Sequence, residues 1–488
     1  MIEKQKGLIK SLSPLNVWAI AFGCIIGWGS FINPGKKFLP NSGVGGTAIA
    51  MVLGALVMII IAFSYAYMVP KYPKACGEFT FTKMSFGKIP AYACGWFLVA
   101  AYLTNVPMNS TAIGLIVDGI FGPVLKWGFH YSIAGFEVWL GEMIVASAIL
   151  ILFAVLNIIG VKKAGFVQTM LAVLLIVSVF TLFIAALCSP HFSWEHVSPV
   201  WGFDKSSAIE AGGYMDEFAN QSALSAILAT FAIAPWAFVG FDAIPQASEE
   251  FKLSYKKVIF IMIVAIIFGC FVYVSNNTIT AAVLENWPEL IVDAEGTPWL
   301  LLAAAEKMLG VPGKALVGIG VSSAVLSGIM GFYLASSRLM YSMAKEGYLP
   351  KLFGKIDQKY GTPKNAMIFC MIVSLSGPIL GREALGWFVD MSAIGASIGY
   401  LFTCLSTIVT MRKDKDGSLF LKILSIIGVC FSCAFIILQL VPIPGLEGVH
   451  FCWQSYVMLG VWVLLGVVFY IKQRKQIGIV QFIEEKNQ

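Results

Sequence analysis

Charged side chains are scarce in this sequence. They make up 12% of 488 residues against 58% hydrophobic, with a mean hydropathy of +0.82. So little charge cannot clothe a water-soluble globule of this size, and the chain reads as embedded in a lipid bilayer nearly end to end. Metal and disulfide patterns are missing as well. The ten cysteines are scattered through apolar runs, and the one close pair, Cys430 and Cys433, lies a helical turn apart inside such a run. His130, His191, His196 and His450 are widely separated. We therefore expect no disulfide framework, no metal centre and no cofactor. There is no Gly-Lys-Ser/Thr phosphate loop, no attached soluble domain and no nucleophile constellation, which argues against direct ATP drive and against a membrane enzyme. The net charge of +6 needs no nucleic acid partner to account for it.

What is present is a series of apolar runs, each long enough to cross about 30 Å of hydrocarbon. Twelve are expected, at 15–35, 45–70, 90–118, 138–159, 165–188, 221–246, 257–281, 312–343, 364–381, 384–411, 419–441 and 453–472. The first follows Lys4, Lys6 and Lys10 and imitates a signal peptide. It is too long, too glycine-rich and too poor in a cleavage site to be one, so we expect it to stay in the mature protein. With the N-terminus cytoplasmic, only Lys36, Lys37, Lys126, Lys205, Lys307, Lys314 and Arg382 of the 33 basic residues fall outside. That asymmetry places both termini in the cytoplasm. Two outer connections, 189–220 and 282–311, lean acidic, and Thr297-Pro-Trp in the second starts an expected short surface helix.

Two runs are interrupted. Ala232 to Glu250 places Pro235, Trp236, Gly240, Asp242 and Pro245 within a few residues of one another in mid-membrane. A lone carboxylate among helix breakers is costly in hydrocarbon unless it lines a watery or substrate-filled cavity. The counterpart is Ala21 to Gly35, in which Gly23, Gly27 and Gly29 weaken the helix and Pro34 and Gly35 close it off. Segments broken at matching places in two halves of a polytopic chain point to the substrate site of a secondary transporter.

Several motifs together resemble the amino acid, polyamine and organocation permease superfamily. They are Gly23-Cys-Ile-Ile-Gly-Trp-Gly-Ser-Phe31, then Trp236-Ala-Phe-Val-Gly-Phe-Asp242 with Ala247-Ser-Glu-Glu250, then Ser337-Arg-Leu-Met-Tyr-Ser-Met-Ala-Lys-Glu-Gly-Tyr-Leu-Pro350 with Gly361-Thr-Pro-Lys364. The resemblance covers roughly residues 12 to 411 in order. It implies an all-α membrane protein of twelve transmembrane helices in a single polytopic domain with the leucine-transporter-like 5+5 inverted repeat. Repeat one would span about 15–188 and repeat two about 221–411, with two extra helices at about 419–472, and spans one and six would be unwound.

The resemblance also implies a plasma-membrane carrier of amino acids or related amines, working by alternating access as an exchanger or permease. Amides around Gly27, Trp28 and Gly29 would hold a carboxylate, and carbonyls of Ile25, Trp236 and Val239 an ammonium. Trp236 matches an aromatic gate, and Asn105 a substrate-facing asparagine; an interhelical hydrogen bond is the competing reading of Asn105. Asn109, Ser110 and Thr111 are less specific. Asp242 is the expected gating or proton-sensing carboxylate, with a structural acceptor role as its alternative. Trp28 departs from the family, which has a small residue there, and must either narrow the pocket or turn into packing.

Asp390 and Ser392 are weaker candidates, while Glu249, Glu250 and Arg338 are expected in ion pairs away from the ligand. The run Gln168 to Val177 has no lysine, which disfavours lysine-based proton coupling. Ser322, Ser323 and Ser327 could serve a sodium site, but serines at helical spacing usually bond their own backbone, so sodium is disfavoured and coupling to protons stays open. A polyamine or amine carrier, using Asp242, Asp390 and Asn105 to recognise a cation, is the alternative within transport. A channel or sensor on the same fold is the alternative outside it.

Overall fold

The computed structural model describes residues 12–72, 76–133, 136–202, 222–250, 254–292, 299–382, 384–415, 418–444, 446 and 449–486. Among these the chain is helical almost throughout, and nine helices are long and apolar enough to cross a membrane. Three shorter apolar helices, Pro14–Ile25, Ala223–Ala232 and Lys364–Leu380, accompany them.

In order, the chain forms α1 (Pro14–Ile25), α2 (Gly29–Asn33), a π-helical turn (Pro34–Phe38), α3 (Leu39–Lys71), α4 (Gly77–Phe86) and α5 (Lys88–Phe121). A hairpin of β1 (His130–Ile133) and β2 (Phe136–Trp139) leads to α6 (Leu140–Ile159) and α7 (Val161–Leu187). Then come α8 (Ala223–Ala232), α9 (Ala234–Ala237), α10 (Ala243–Gln246), α11 (Tyr255–Val283), α12 (Trp287–Val292), α13 (Leu300–Leu309) and α14 (Val311–Lys345). The chain ends with α15 (Lys364–Ser374), α16 (Ser376–Leu380), α17 (Ala384–Asp414), α18 (Leu419–Leu440) and α19 (Trp453–Lys486).

The starts of several helices follow from local chemistry. Ser13 accepts from the Asn16 amide at 3.2 Å and the Asn16 side chain answers to the Ser13 backbone, a reciprocal cap that fixes where α1 begins, with Pro14 in its first turn. Ser222 and Ser418 cap α8 and α18 from one side only, accepting from the amides three residues on.

Packing separates a core from a rim. The most apolar windows of α5 and α14 are each 72% buried, against 28% for α6 and α18 and 11% for α19, so these three helices are peripheral. α5 lies at the centre, touching α4, α6, α14 and α17, while α1 is clasped by α7, α11 and α14. This enclosure lets a broken α1 exist at all, because its frayed backbone is surrounded by protein and not by lipid.

Four details differ from the sequence reading. Pro34 and Gly35 do not end the first run: the backbone continues through the π turn and bends at Gly43, whose φ is +62°. A Cβ there would strike the Val200 carbonyl and the Gly202 amide, and Gly45 donates to Val200 O at 2.9 Å. The bend is set by a loop more than 150 residues away. The run 364–381 is interrupted at Leu375 between α15 and α16. The expected helix near 297–309 forms as α13, but Leu300, Leu301, Leu302, Ala304 and Ala305 are buried, so it packs into the bundle and is not a surface helix. Its expected cap, Thr297 and Pro298, lies outside the described residues, as do Lys4, Lys6, Lys10 and Lys205. The β1–β2 hairpin has no counterpart in the sequence reading.

Candidate functional site

The first interruption spans Ile26 to Trp28. α1 ends where Ile26 turns extended (φ −98°, ψ 103°), and α2 restarts at Gly29. The glycines act by size. A Cβ on Gly23 would strike Gln168 Nε2, and one on Gly29 would lie 2.6 Å from Trp236 Cη2. None of Gly23, Gly27 and Gly29 has positive φ.

The second interruption spans Phe238 to Asp242, between α9 and α10. Gly240 has φ +135°, a conformation L side chains rarely adopt. The turn is closed by the Gly240 amide, which donates to Asp242 Oδ1 at 2.6 Å, and by the Val239 amide, which donates to Trp236 O at 3.2 Å.

The two interruptions meet. A Cβ on Gly240 would lie 2.5 Å from Cys24 Cβ and 2.7 Å from the Ile25 nitrogen, so the second turn is in main-chain contact with the end of α1, immediately before the first interruption. The rings of Trp28 and Trp236 pack with centroids 6.2 Å apart at 51°, each 6% exposed. Among the described residues, the amides of Gly27 and Trp28 donate to no backbone carbonyl, and no backbone amide donates to the carbonyl of Val239. The Trp236 carbonyl is engaged by Val239. Unpaired N–H groups at a helix start and unpaired C=O groups at a helix end thus converge, and such an arrangement can pair with an anion and a cation on one small solute.

The polar candidates divide. Asn105 donates to Ser392 Oγ and to Ala101 O, both at 2.6 Å, so its amide bridges α5 to α17. Asn109, one turn further along α5, donates to Asn105 O at 2.8 Å, and its buried Oδ1 has no donor among the described residues. That oxygen lies 3.6 Å from where a Cβ of Gly27 would stand. Trp28 Nε1 is likewise buried without an acceptor. Ser110 and Thr111 bond the carbonyls of Pro107 and Met108 on their own helix.

Asp242 is fully buried behind the turn, where its Oδ2 accepts from Tyr102 at 3.0 Å. Its other carboxylate oxygen accepts from the Gly240 amide, and no span-one amide is among its partners in the described residues. Asp390 accepts from Ser455 at 2.6 Å and so ties α17 to α19. Glu250 pairs with Arg338 at 2.9 Å, with both side chains fully buried. Ser327 bonds Ala324 O and Gly23 O, and Gln168 donates to Ala19 O, so protein groups already occupy these carbonyls.

Glu78 was not singled out in the sequence. It is fully buried, bonded by Tyr65, Tyr102 and Gln246, and lies next to Asp242 through Tyr102. The one available signal was its position as an acidic residue among Lys71, Lys74, Lys83 and Lys88. No group of three or more His, Cys, Asp or Glu suited to a metal occurs among the described residues.

A cavity of about 520 Å³ lies elsewhere, between α3, α7 and α11, lined by Val52, Leu56, Phe183, Ile267 and Phe271. Ser275 and Thr278 on its wall bond their own helix, so its lining is essentially apolar.

Residues 12–467 match the amino acid permease family model. The chain belongs to the amino acid permease family. It is 24% identical to the branched-chain amino acid permease BcaP of Bacillus subtilis, over 96% of this chain and 93% of that one. It is 23% identical to the methylthioribose transporter of the same organism, over 97% and 95% of the two chains. It is also 26% identical to the human large neutral amino acids transporter small subunit 2, over 77% of this chain and 64% of that one. This member of the family is accordingly a multi-pass membrane transporter and not an enzyme.

Proposed function

We propose that this permease carries an amino acid across the plasma membrane by alternating access, as an exchanger or facilitated carrier, with the solute seated between the interruptions at Ile26–Trp28 and Phe238–Asp242. The single observation that carries the reading is the main-chain contact of Gly240 with Cys24 and Ile25, which brings unpaired amides and carbonyls of two broken helices to one place. The amides of Gly27, Trp28 and Gly29 take the carboxylate, and the carbonyls of Ile25 and Val239 with Asn109 Oδ1 take the ammonium. Trp236, whose ring covers Gly29, acts as the gate, and Trp28 narrows the seat. Asn105 contributes indirectly, by holding α5 to α17.

The architecture proposed with this function is twelve spans in a 5+5 inverted repeat plus two further helices, with both termini cytoplasmic. The nine long helices and three shorter apolar ones support that count, and the low burial of α19 suits a helix added outside the repeats. Asp242 makes transport pH-sensitive. Sodium is disfavoured because the Ser327 hydroxyl is engaged with the carbonyls of Ala324 and Gly23. An amine carrier is less well supported, since Asp242, Asp390 and Asn105 are each engaged with other protein groups.

The test is counterflow in liposomes holding the purified full-length protein, preloaded with single amino acids or polyamines. Exchange of labelled leucine or another amino acid is expected. Exchange of polyamines alone, or conduction without counterflow, would overturn the reading.

A further inference from the structure

Two buried carboxylates share one tyrosine hydroxyl. Tyr102 OH lies 3.2 Å from Glu78 Oε1 and 3.0 Å from Asp242 Oδ2, and both acids are fully enclosed. Glu78 also accepts from Tyr65 OH at 2.9 Å and from Gln246 Nε2 at 2.6 Å, and Asp242 from the Gly240 amide at 2.6 Å. Neither forms an ion pair among the described residues. The other titratable groups around them are Cys24 on α1, Cys76 and Cys94 beside Glu78, and Tyr400 on α17. The nearby Arg338 is taken by Glu250, with Glu249 adjacent to that pair.

Charge, not hydrogen bonding, is what the pair leaves uncompensated. A tyrosine hydroxyl has one hydrogen and can serve one of the two carboxylates. With that hydrogen on Asp242, Glu78 keeps Tyr65 and Gln246 as donors, but two enclosed carboxylates would still face one hydroxyl with no counter-ion, an arrangement that favours one shared proton. Gln246 Oε1, on the amide that touches both Glu78 and Tyr102, is also buried with no donor. One proton on either acid leaves a hydrogen-bonded chain from Asp242 through Tyr102 to Glu78. Shifting the hydrogens along the chain moves the charge from one acid to the other.

We propose that Glu78 and Asp242 together hold one transportable proton, relayed through the Tyr102 hydroxyl, and that this pair is the coupling site of the permease. The proposal rests on the transport reading above and extends it to Glu78, on α4. The proton enters from water on one side of the membrane and leaves to water on the other, with no other bond made or broken. Coupling follows from the turn 238–242, which contacts the Ile25 backbone on one side and carries Asp242 on the other. When the proton is lost, two carboxylates face each other without a counter-charge. Their repulsion pushes the turn away from Tyr102 and disturbs the solute seat.

The test is infrared spectroscopy of the full-length protein in lipid nanodiscs across pH, in water and heavy water. The wild type is expected to show a protonated-carboxyl stretch at neutral pH that shifts in heavy water and disappears in both Glu78→Gln and Asp242→Asn. Absence of that stretch from the wild type, or its survival in either variant, overturns the proposal; the wild-type arm does not depend on a variant that folds. In liposomes with a pH dye inside, leucine entry is expected to carry protons in the wild type and not in Glu78→Gln. If the band behaves as expected but no amino acid exchanges, the transport reading fails and the proton site stands. Exchange without the band sinks the proton site and leaves transport intact.

Discussion

Gly240 rests directly on the backbone of Ile25, with room for hydrogen and none for a methyl group. The contact joins the two helix interruptions, and two constraints act on one residue, a φ of +135° and a main-chain neighbour 2.7 Å from where a Cβ would sit. Gly240→Ala must therefore strain the turn or part the segments, at about 1–3 kcal/mol for each effect. A melting temperature in detergent lower by several degrees is expected, with counterflow abolished. Gly460→Ala, at a position with nothing within 4 Å, is the control and should melt like the wild type. Equal melting of the two variants would show that the interruptions do not touch.

Trp236 and Trp28 pack on each other beside Gly29. If Trp236 were ordinary core, truncating it would cost about 3–5 kcal/mol of stability. As a ring over a solute seat it should cost much less, while transport falls. Trp236→Ala is expected to lower counterflow roughly tenfold or more with only a small loss of melting temperature, and Trp236→Phe to restore part of the rate, since an aromatic pair contributes about 0.5–1.5 kcal/mol. Trp28→Ala should widen the seat and shift preference toward bulkier side chains in a competition assay. Unchanged kinetics for Trp236→Ala would remove it from the site.

The interruptions were legible in the sequence because glycine, proline and a carboxylate in mid-membrane have few other physical explanations. What was not legible depended on residues remote in the chain. The bend at Gly43 is imposed by the remote Val200 and Gly202, while the π turn absorbs the nearer Pro34 and Gly35. Glu78 sits among lysines and reads as a solvated loop acid; its burial comes from Tyr65, Tyr102 and Gln246, which lie on three other helices. Asn105 and Asn109 are a helical turn apart in one polar run, and only side-chain geometry separates them.

That separation can be measured. Asn109→Ala removes an acceptor beside Gly27, and a hydrogen bond to a charged group is worth about 1.5–3 kcal/mol. The KM should rise roughly tenfold or more with little change in melting temperature. Asn105→Ala breaks the bond to Ser392 and should lower the melting temperature while leaving KM near that of the wild type. The reverse pattern would return Asn105 to the solute seat and make Asn109 structural.

The pair of Arg338 and Glu250 is fully buried, and its attraction is offset by the cost of taking two charges out of water. Removing one partner leaves the other charge enclosed, so Arg338→Met or Glu250→Gln should each cost about 3–5 kcal/mol, visible as a large drop in melting temperature. Replacing both, with Arg338→Met and Glu250→Met together, removes the stranded charge and should recover most of that stability. The Glu250 carbonyl also accepts from the Leu12 amide at 3.1 Å, so the pair sits where the chain enters α1. If the double variant is stable but its counterflow rate differs from the wild type, the pair sets the balance between conformations. If its rate is unchanged, the pair is structural only, and an additive double-mutant cycle would mean the two side chains do not interact in the folded protein.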